Sequence, residues 1–155
     1  RADRFVDKNR SGGLNPFLAF DPGVDSGHMI AQYTQAGMVS ELKRLAAPAS
    51  VDSIPTSAMQ EDHVSMGWSA GLKLRRAIDG LTRVLAIELL TSARGLEMRG
   101  EGASPVSQRV IDALRDRVPG VGPDRYLAPE IAAATDLVMS GALLAAASID
   151  LKEAS

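Results

Sequence analysis

The chain has 155 residues, of which 45% are hydrophobic and 23% charged, a balance that fits one folded domain and argues against disorder. A formal net charge of −2, with acidic and basic residues interspersed, presents no basic face for nucleic acid or for an anionic membrane surface. The absence of cysteine excludes disulfides, thiolate nucleophiles and thiolate zinc sites and suits a reducing, cytoplasmic setting.

The two histidines, His28 and His63, are too few for a multi-histidine metal site, so no metal is expected. No uncharged apolar run approaches the roughly 20 residues of a membrane span. The charge-rich N-terminus has no apolar core and is not a signal peptide. It also lacks an initiator Met, which points to a processed chain or a fragment of a longer one.

Residues 1–25 read as an N-terminal arm or loop, and 26–155 as one helical domain. Arg1–Pro22 is irregular and rich in Gly, Pro and Asn, with Phe5, Phe17, Leu18 and Phe20 as anchors. Ser26 is placed to N-cap a helix reaching about Leu45. Met29–Ser40 carries no charge, and Met29, Ile30, Tyr33, Met38, Val39 and Leu42 point around the whole axis, the pattern of a helix buried on all sides. Tyr33 is read as core. Pro48 stops this helix, and Ala47–Thr56 is a loop.

Ser57-Ala58-Met59-Gln60 matches a capping box, and Glu61 and Asp62 suit the first turn of a helix. No proline follows until Pro105, so the helix is expected from about Ala58 to Arg99, about 60 Å at 1.5 Å per residue. Leu74, Ile78, Leu81, Leu85, Leu89 and Leu96 form its apolar stripe, and Arg75, Asp79 and Arg83 a charged ladder. Gly67, Gly71 and Gly80 allow close helix contacts or a bend. Such length points to a bundle or an oligomer core. Gly100–Gly102 ends the long helix, and Ser104 and Pro105 open a shorter one that buries Val110, Ile111, Leu114 and Val118. Pro129-Glu130 opens a last helix toward Ser140, with Gly141 as its C-cap, a further turn or two over Ala142–Ser148, and a frayed end at Lys152–Ser155.

Asp7–Gly12 imitates half of an EF-hand calcium loop, but Leu18 stands where the closing Glu is required. The run Gln60-Glu61-Asp62-His63 has two readings. One is helix capping, which accounts for acidic residues without any chemistry. The other is a ligand-facing helix N-terminus, where amide N–H groups and a carboxylate meet a polar substrate. Glu61 and His63 are two apart and diverge on a helix, so they form no catalytic dyad. His28 and His63 each read first as hydrogen-bonded structural residues, and Trp68 as packing or an interface anchor. No P-loop, GxGxxG or HExxH occurs.

The stretch Ala49–Gly67 (ASVDSIPTSAMQEDHVSMG), preceded by SGHMIAQYTQAGMVSELKRLAAP, resembles the C-terminal region of the histidine ammonia-lyases. The likeness runs from about Ser11 through Arg99 and, more weakly, through Asp124–Ile131. Met59 departs from the Asn that many relatives carry. The resemblance implies an all-α fold, an elongated helical bundle segment of a homotetrameric core. It implies non-oxidative deamination of L-histidine to trans-urocanate and ammonia. It further implies a 4-methylidene-imidazol-5-one prosthetic group made from an internal Ala-Ser-Gly. This sequence contains none, so the group belongs to an N-terminal part of the enzyme and the segment alone is expected to be inactive.

By resemblance, Glu61 is the active-site glutamate that binds the substrate and assists proton transfer, Gln60 binds within the site, and His63 stands behind them. Phenylalanine and tyrosine ammonia-lyases usually carry Gln at the Glu61 position. A carboxylate suits an imidazole, which offers N–H donors and takes a charge-assisted bond, whereas a hydrocarbon ring would leave it unpaired. Glu61 therefore favours histidine over the rival reading, an aromatic amino acid lyase or aminomutase. The rival from another class is a non-catalytic helical assembly module.

Overall fold

A computed structural model describes residues 1–148, all of them in helices, turns and loops apart from two isolated bridges. The segment expected to fray, Lys152–Ser155, lies outside the described residues. Among the described residues six α-helices follow one another: α1 (Ala2–Val6), α2 (Met29–Leu45), α3 (Gly67–Arg99), α4 (Pro105–Arg115), α5 (Ala128–Ser140) and α6 (Ala142–Ala147). Helix α3 is the spine. It packs against α2 and α5, with α1 beside it and α6 across α4.

The core lies at the C-terminal half of α3. Ala86, Leu90 and Ala93 meet Ile111, Leu114 and Val118 from α4 and its exit, and Ala134 and Leu137 from α5. Small residues on α3 let the flanking helices approach, and the branched side chains of α4 fill the space. The expected burial of α4 is observed, with Val110 half-buried. The local end signals also hold. Ser104 Oγ accepts the Ser107 N–H at 3.2 Å, Pro105 occupies the first turn of α4, and Gly100 and Gly141 close α3 and α5 at φ 72° and 75°. Left-handed φ at a helix end is where glycine relieves a Cβ clash.

Four expectations change. First, α3 begins at Gly67 rather than Ala58, and its 33 residues span about 50 Å. Ser57, Ala58 and Met59 have φ of 53°, 52° and 73°, a left-handed turn that a right-handed helix cannot continue. Second, α2 has no side-chain cap. It starts after His28, while Ser26 and Gly27 give their N–H groups to Asp124 at 2.6 and 2.8 Å.

Third, the predicted stripe of α3 is only partly covered. Leu89 and Leu96 pack on the core, but Leu74 is 61% and Ile78 50% exposed, and Leu81 and Leu85 are also exposed. Among the described residues nothing covers the outer faces of α2 either: Ala31 is buried, while Ile30 and Tyr33 are exposed. Fourth, the arm carries the short α1, and its anchors are unequal. Leu18 is fully buried and Phe5 packs on Gly95, but Phe17 and Phe20 are exposed. Of the three glycines expected to admit close contact, Gly80 does so: a Cβ there would stand 3.0 Å from Leu42 of α2.

Candidate functional site

The polar run Gln60–His63 lies in the loop between α2 and α3, not on a helix. The chain enters through Pro55 in extended form, with Thr56 at φ −130° and ψ 172°. It then reverses through the left-handed turn Ser57–Met59. Turns of this hand usually use Gly or Asn, so three other residues in succession mark backbone strain held by surrounding bonds.

Those bonds are present. Thr56 N–H donates to the Glu61 carbonyl at 3.0 Å, and Glu61 N–H returns a bond to the Thr56 carbonyl at 3.4 Å. Gln60 N–H donates to the Ser57 carbonyl at 3.1 Å. At the base of the loop Ser53 Oγ accepts the Val64 N–H at 2.8 Å and stands 3.1 Å from the Val64 carbonyl. The loop is therefore closed twice, by a serine staple outside and a backbone bridge inside.

The side chain of Glu61 stands at the inner bridge. The Thr56 hydroxyl donates to its Oε2 at 3.3 Å. The Ser57 hydroxyl first, and the Thr56 hydroxyl after it, hold the Glu61 carboxyl below the usual carboxylate pKa, because donated hydrogen bonds favour the ionised form. Gln60, Glu61 and His63 are all solvent-exposed in this chain. The structure thus brings Glu61 together with Ser57, which the sequence pattern read only as a helix cap, and with Thr56, which it did not single out.

A second polar cluster lies at the start of α2. A cavity of about 490 Å³ is lined by His28, Ala31, Arg94, Asp124, Tyr126 and neighbouring residues, and not by Glu61. Its charged groups are committed to holding chain segments together. Asp124 takes the two N–H groups at Ser26 and Gly27, and Asp25 in turn accepts the Asp124 N–H at 2.9 Å. Arg94, buried, donates to the carbonyls of Leu18 and Gly122 at 2.7 and 3.0 Å. Arg125 pairs with Glu130. His28 is 5% exposed, its Nδ1 lies 3.2 Å from Thr91 Oγ1, and burial, helped by the Arg94 and Arg125 charges, pushes its pKa down to about 4. His28 is thus a buried residue within hydrogen-bond distance of Thr91. Among the described residues no cluster of three or more His, Asp or Glu side chains is arranged to hold a metal ion, and no helix is long and apolar enough to cross a membrane.

The fold has close counterparts among solved structures. A tyrosine aminomutase from Streptomyces globisporus superposes with a TM-score of 0.89 at 35% identity, over 95% of this chain and 28% of that one. A histidine ammonia-lyase from Trypanosoma cruzi gives 0.89 at 36% identity, over 95% and 29%. These define the class, the helical architecture shared by ammonia-lyases and aminomutases. The model of the aromatic amino acid lyase family matches residues 1–116, and the chain belongs to that family. Histidine ammonia-lyases of Streptomyces avermitilis and Streptomyces coelicolor are 65% and 63% identical to it over 149 residues. In each case the match covers 95% of this chain and 29% of the relative, so the chain spans under a third of their length.

Proposed function

We propose that this chain is the C-terminal helical part of a histidine ammonia-lyase, which converts L-histidine to trans-urocanate and ammonia. The observation that carries the reading is Glu61, an exposed carboxylate kept ionised by hydroxyl donors in a loop of fixed shape. Its role is to accept the imidazole N–H of the substrate, orient the ring and assist proton transfer. Gln60 hydrogen-bonds within the same site, and His63 stands behind it.

The family's 4-methylidene-imidazol-5-one supplies the electrophile when present. Its source motif, Ala-Ser-Gly, does not occur in this sequence, so these residues do not fit as its origin and the segment alone is inactive on this reading. The uncovered apolar faces of α2 and the first half of α3 support burial against the rest of the enzyme and further copies in a cytoplasmic homotetramer.

The likeness to a tyrosine aminomutase keeps a second substrate class in view, since the two folds match equally well. Glu61 argues against phenylalanine, whose hydrocarbon ring gives a carboxylate no donor, and between the phenol O–H of tyrosine and the imidazole N–H of histidine the product formed decides. In the full-length enzyme containing this segment, Glu61→Gln is expected to lower turnover of histidine about a hundredfold or more. The assay is urocanate absorbance, with assembled mass unchanged. Near-normal urocanate formation by that variant removes Glu61 from the mechanism, and formation of cinnamate or coumarate by the wild-type enzyme in place of urocanate removes histidine as the substrate.

A further inference from the structure

An exposed glutamate has several rotatable bonds and samples many rotamers, which is a poor arrangement for orienting a substrate ring. Fixing the backbone alone does not solve this. The Thr56–Glu61 bridge sets the Cα of Glu61, and the Ser53 staple fixes the width of the loop, but neither reaches the carboxylate.

Thr56 is the residue that acts at both levels. Its backbone makes the two bonds of the bridge, and its hydroxyl reaches Glu61 Oε2 at 3.3 Å. Its extended backbone suits a β-branched side chain, whose χ1 is stiff, so the hydroxyl is itself directed. A carboxylate has about four lone-pair sites. A bond to Thr56 leaves others for a substrate N–H.

We propose that Thr56 is a positioning residue for the Glu61 site: its hydroxyl holds one oxygen of the Glu61 carboxylate so that the remaining lone pairs face the substrate imidazole. The proposal rests on the reading of Glu61 as a substrate-facing group. It assigns to Thr56 a role in substrate orientation that acts wholly through Glu61. The Ser57 hydroxyl adds to the acidity of the carboxyl, but Ser57 sits inside the strained left-handed turn, where a substitution also disturbs the backbone.

The test uses the full-length enzyme with histidine as substrate, and reads kcat/KM by urocanate absorbance beside assembled mass and helical circular dichroism. Thr56→Val keeps the shape and the backbone bridge and removes the donor. It is expected to lower kcat/KM about tenfold, in line with a hydrogen bond to a charged group. Thr56→Ser restores the donor and is expected to recover most of the loss. Glu61→Ala removes the acceptor, so adding Thr56→Val to it is expected to change the residual turnover less than about twofold, since coupled residues are not additive.

Wild-type kcat/KM in Thr56→Val overturns the proposal, and so does the same tenfold loss in the Glu61→Ala background, which would mark Thr56 as merely structural. Should Thr56→Val fail to assemble, Thr56→Ala is read against Thr56→Ser in the same way. Near-normal turnover of Glu61→Ala itself defeats the reading of Glu61 and separates that failure from failure at Thr56.

Discussion

Helix α3 passes through two different environments along one continuous rod. Between Ala86 and Gly95 it buries Ala86, Ile87, Leu90, Thr91, Ala93, Arg94 and Gly95 against elements of its own chain. Toward its start, Trp68 is 81% exposed and Leu74 61%, with Leu72, Ile78 and Leu81 exposed as well. The buried half is lined by small and branched residues, the open half by large apolar ones. A self-sufficient core needs close approach, which Ala86, Ala93 and Gly95 allow in this half of the spine. The open half carries bulky apolar side chains that the described residues leave uncovered.

The contrast can be broken or sharpened by substitution. Leu114 is fully buried in the closed half, and Leu114→Ala is expected to lower the free energy of unfolding by about 3 kcal/mol, measured by urea or thermal melting. A loss near zero would mean that the closed half is not the folding core. Acid tests the same region through His28. Its folded pKa of about 4 lies below the ordinary 6.5, so stability is complete above about pH 6.5. As pH falls from there toward 4, the unfolded chain takes up a proton that the folded chain refuses, and up to about 3 kcal/mol is lost. His28→Phe should flatten that part of the stability profile, with Thr91 keeping its bond to the Ile87 carbonyl at 2.8 Å. The smallest effect on unfolding belongs to the open half. Ile78→Ser is expected to change the stability of this chain by about 0.5 kcal/mol or less. In the full-length enzyme the same change should weaken assembly, read by mass in solution. A large loss of stability in the segment alone would show that this face is already covered.

What the sequence discloses follows the range of the interactions. Ser104 with Pro105, Gly100 and Gly141 mark helix ends because caps and left-handed termini are settled within a few residues. The apolar positions of α3 were equally visible. Their burial was not, because periodicity identifies a face and not what lies against it. The His28–Thr91 contact and the bond from the Asp124 N–H to the Asp25 carboxylate join residues 63 and 99 positions apart, beyond the reach of any local pattern.

The candidate site divides in the same way. Glu61 and Gln60 stood out through a family motif. Their setting is not legible, because Ser-Ala-Met-Gln fits a capping box as well as a left-handed turn, and Ser-Ala-Met contains neither Gly nor Asn to betray the turn. Thr56 and Ser53 gave no signal, since a hydroxyl becomes a clamp only when the loop closes on it.

That mirror-handed reversal has a consequence for how the gene can change. A β-branched or bulky side chain at positions 57–59 would collide with its own backbone, so drift there is confined to a short alphabet of small residues, asparagine and aspartate, with Met59 already at its margin. Sequence variation at these three positions should therefore look narrow even though each is bathed in solvent, a constraint written by geometry rather than by contact.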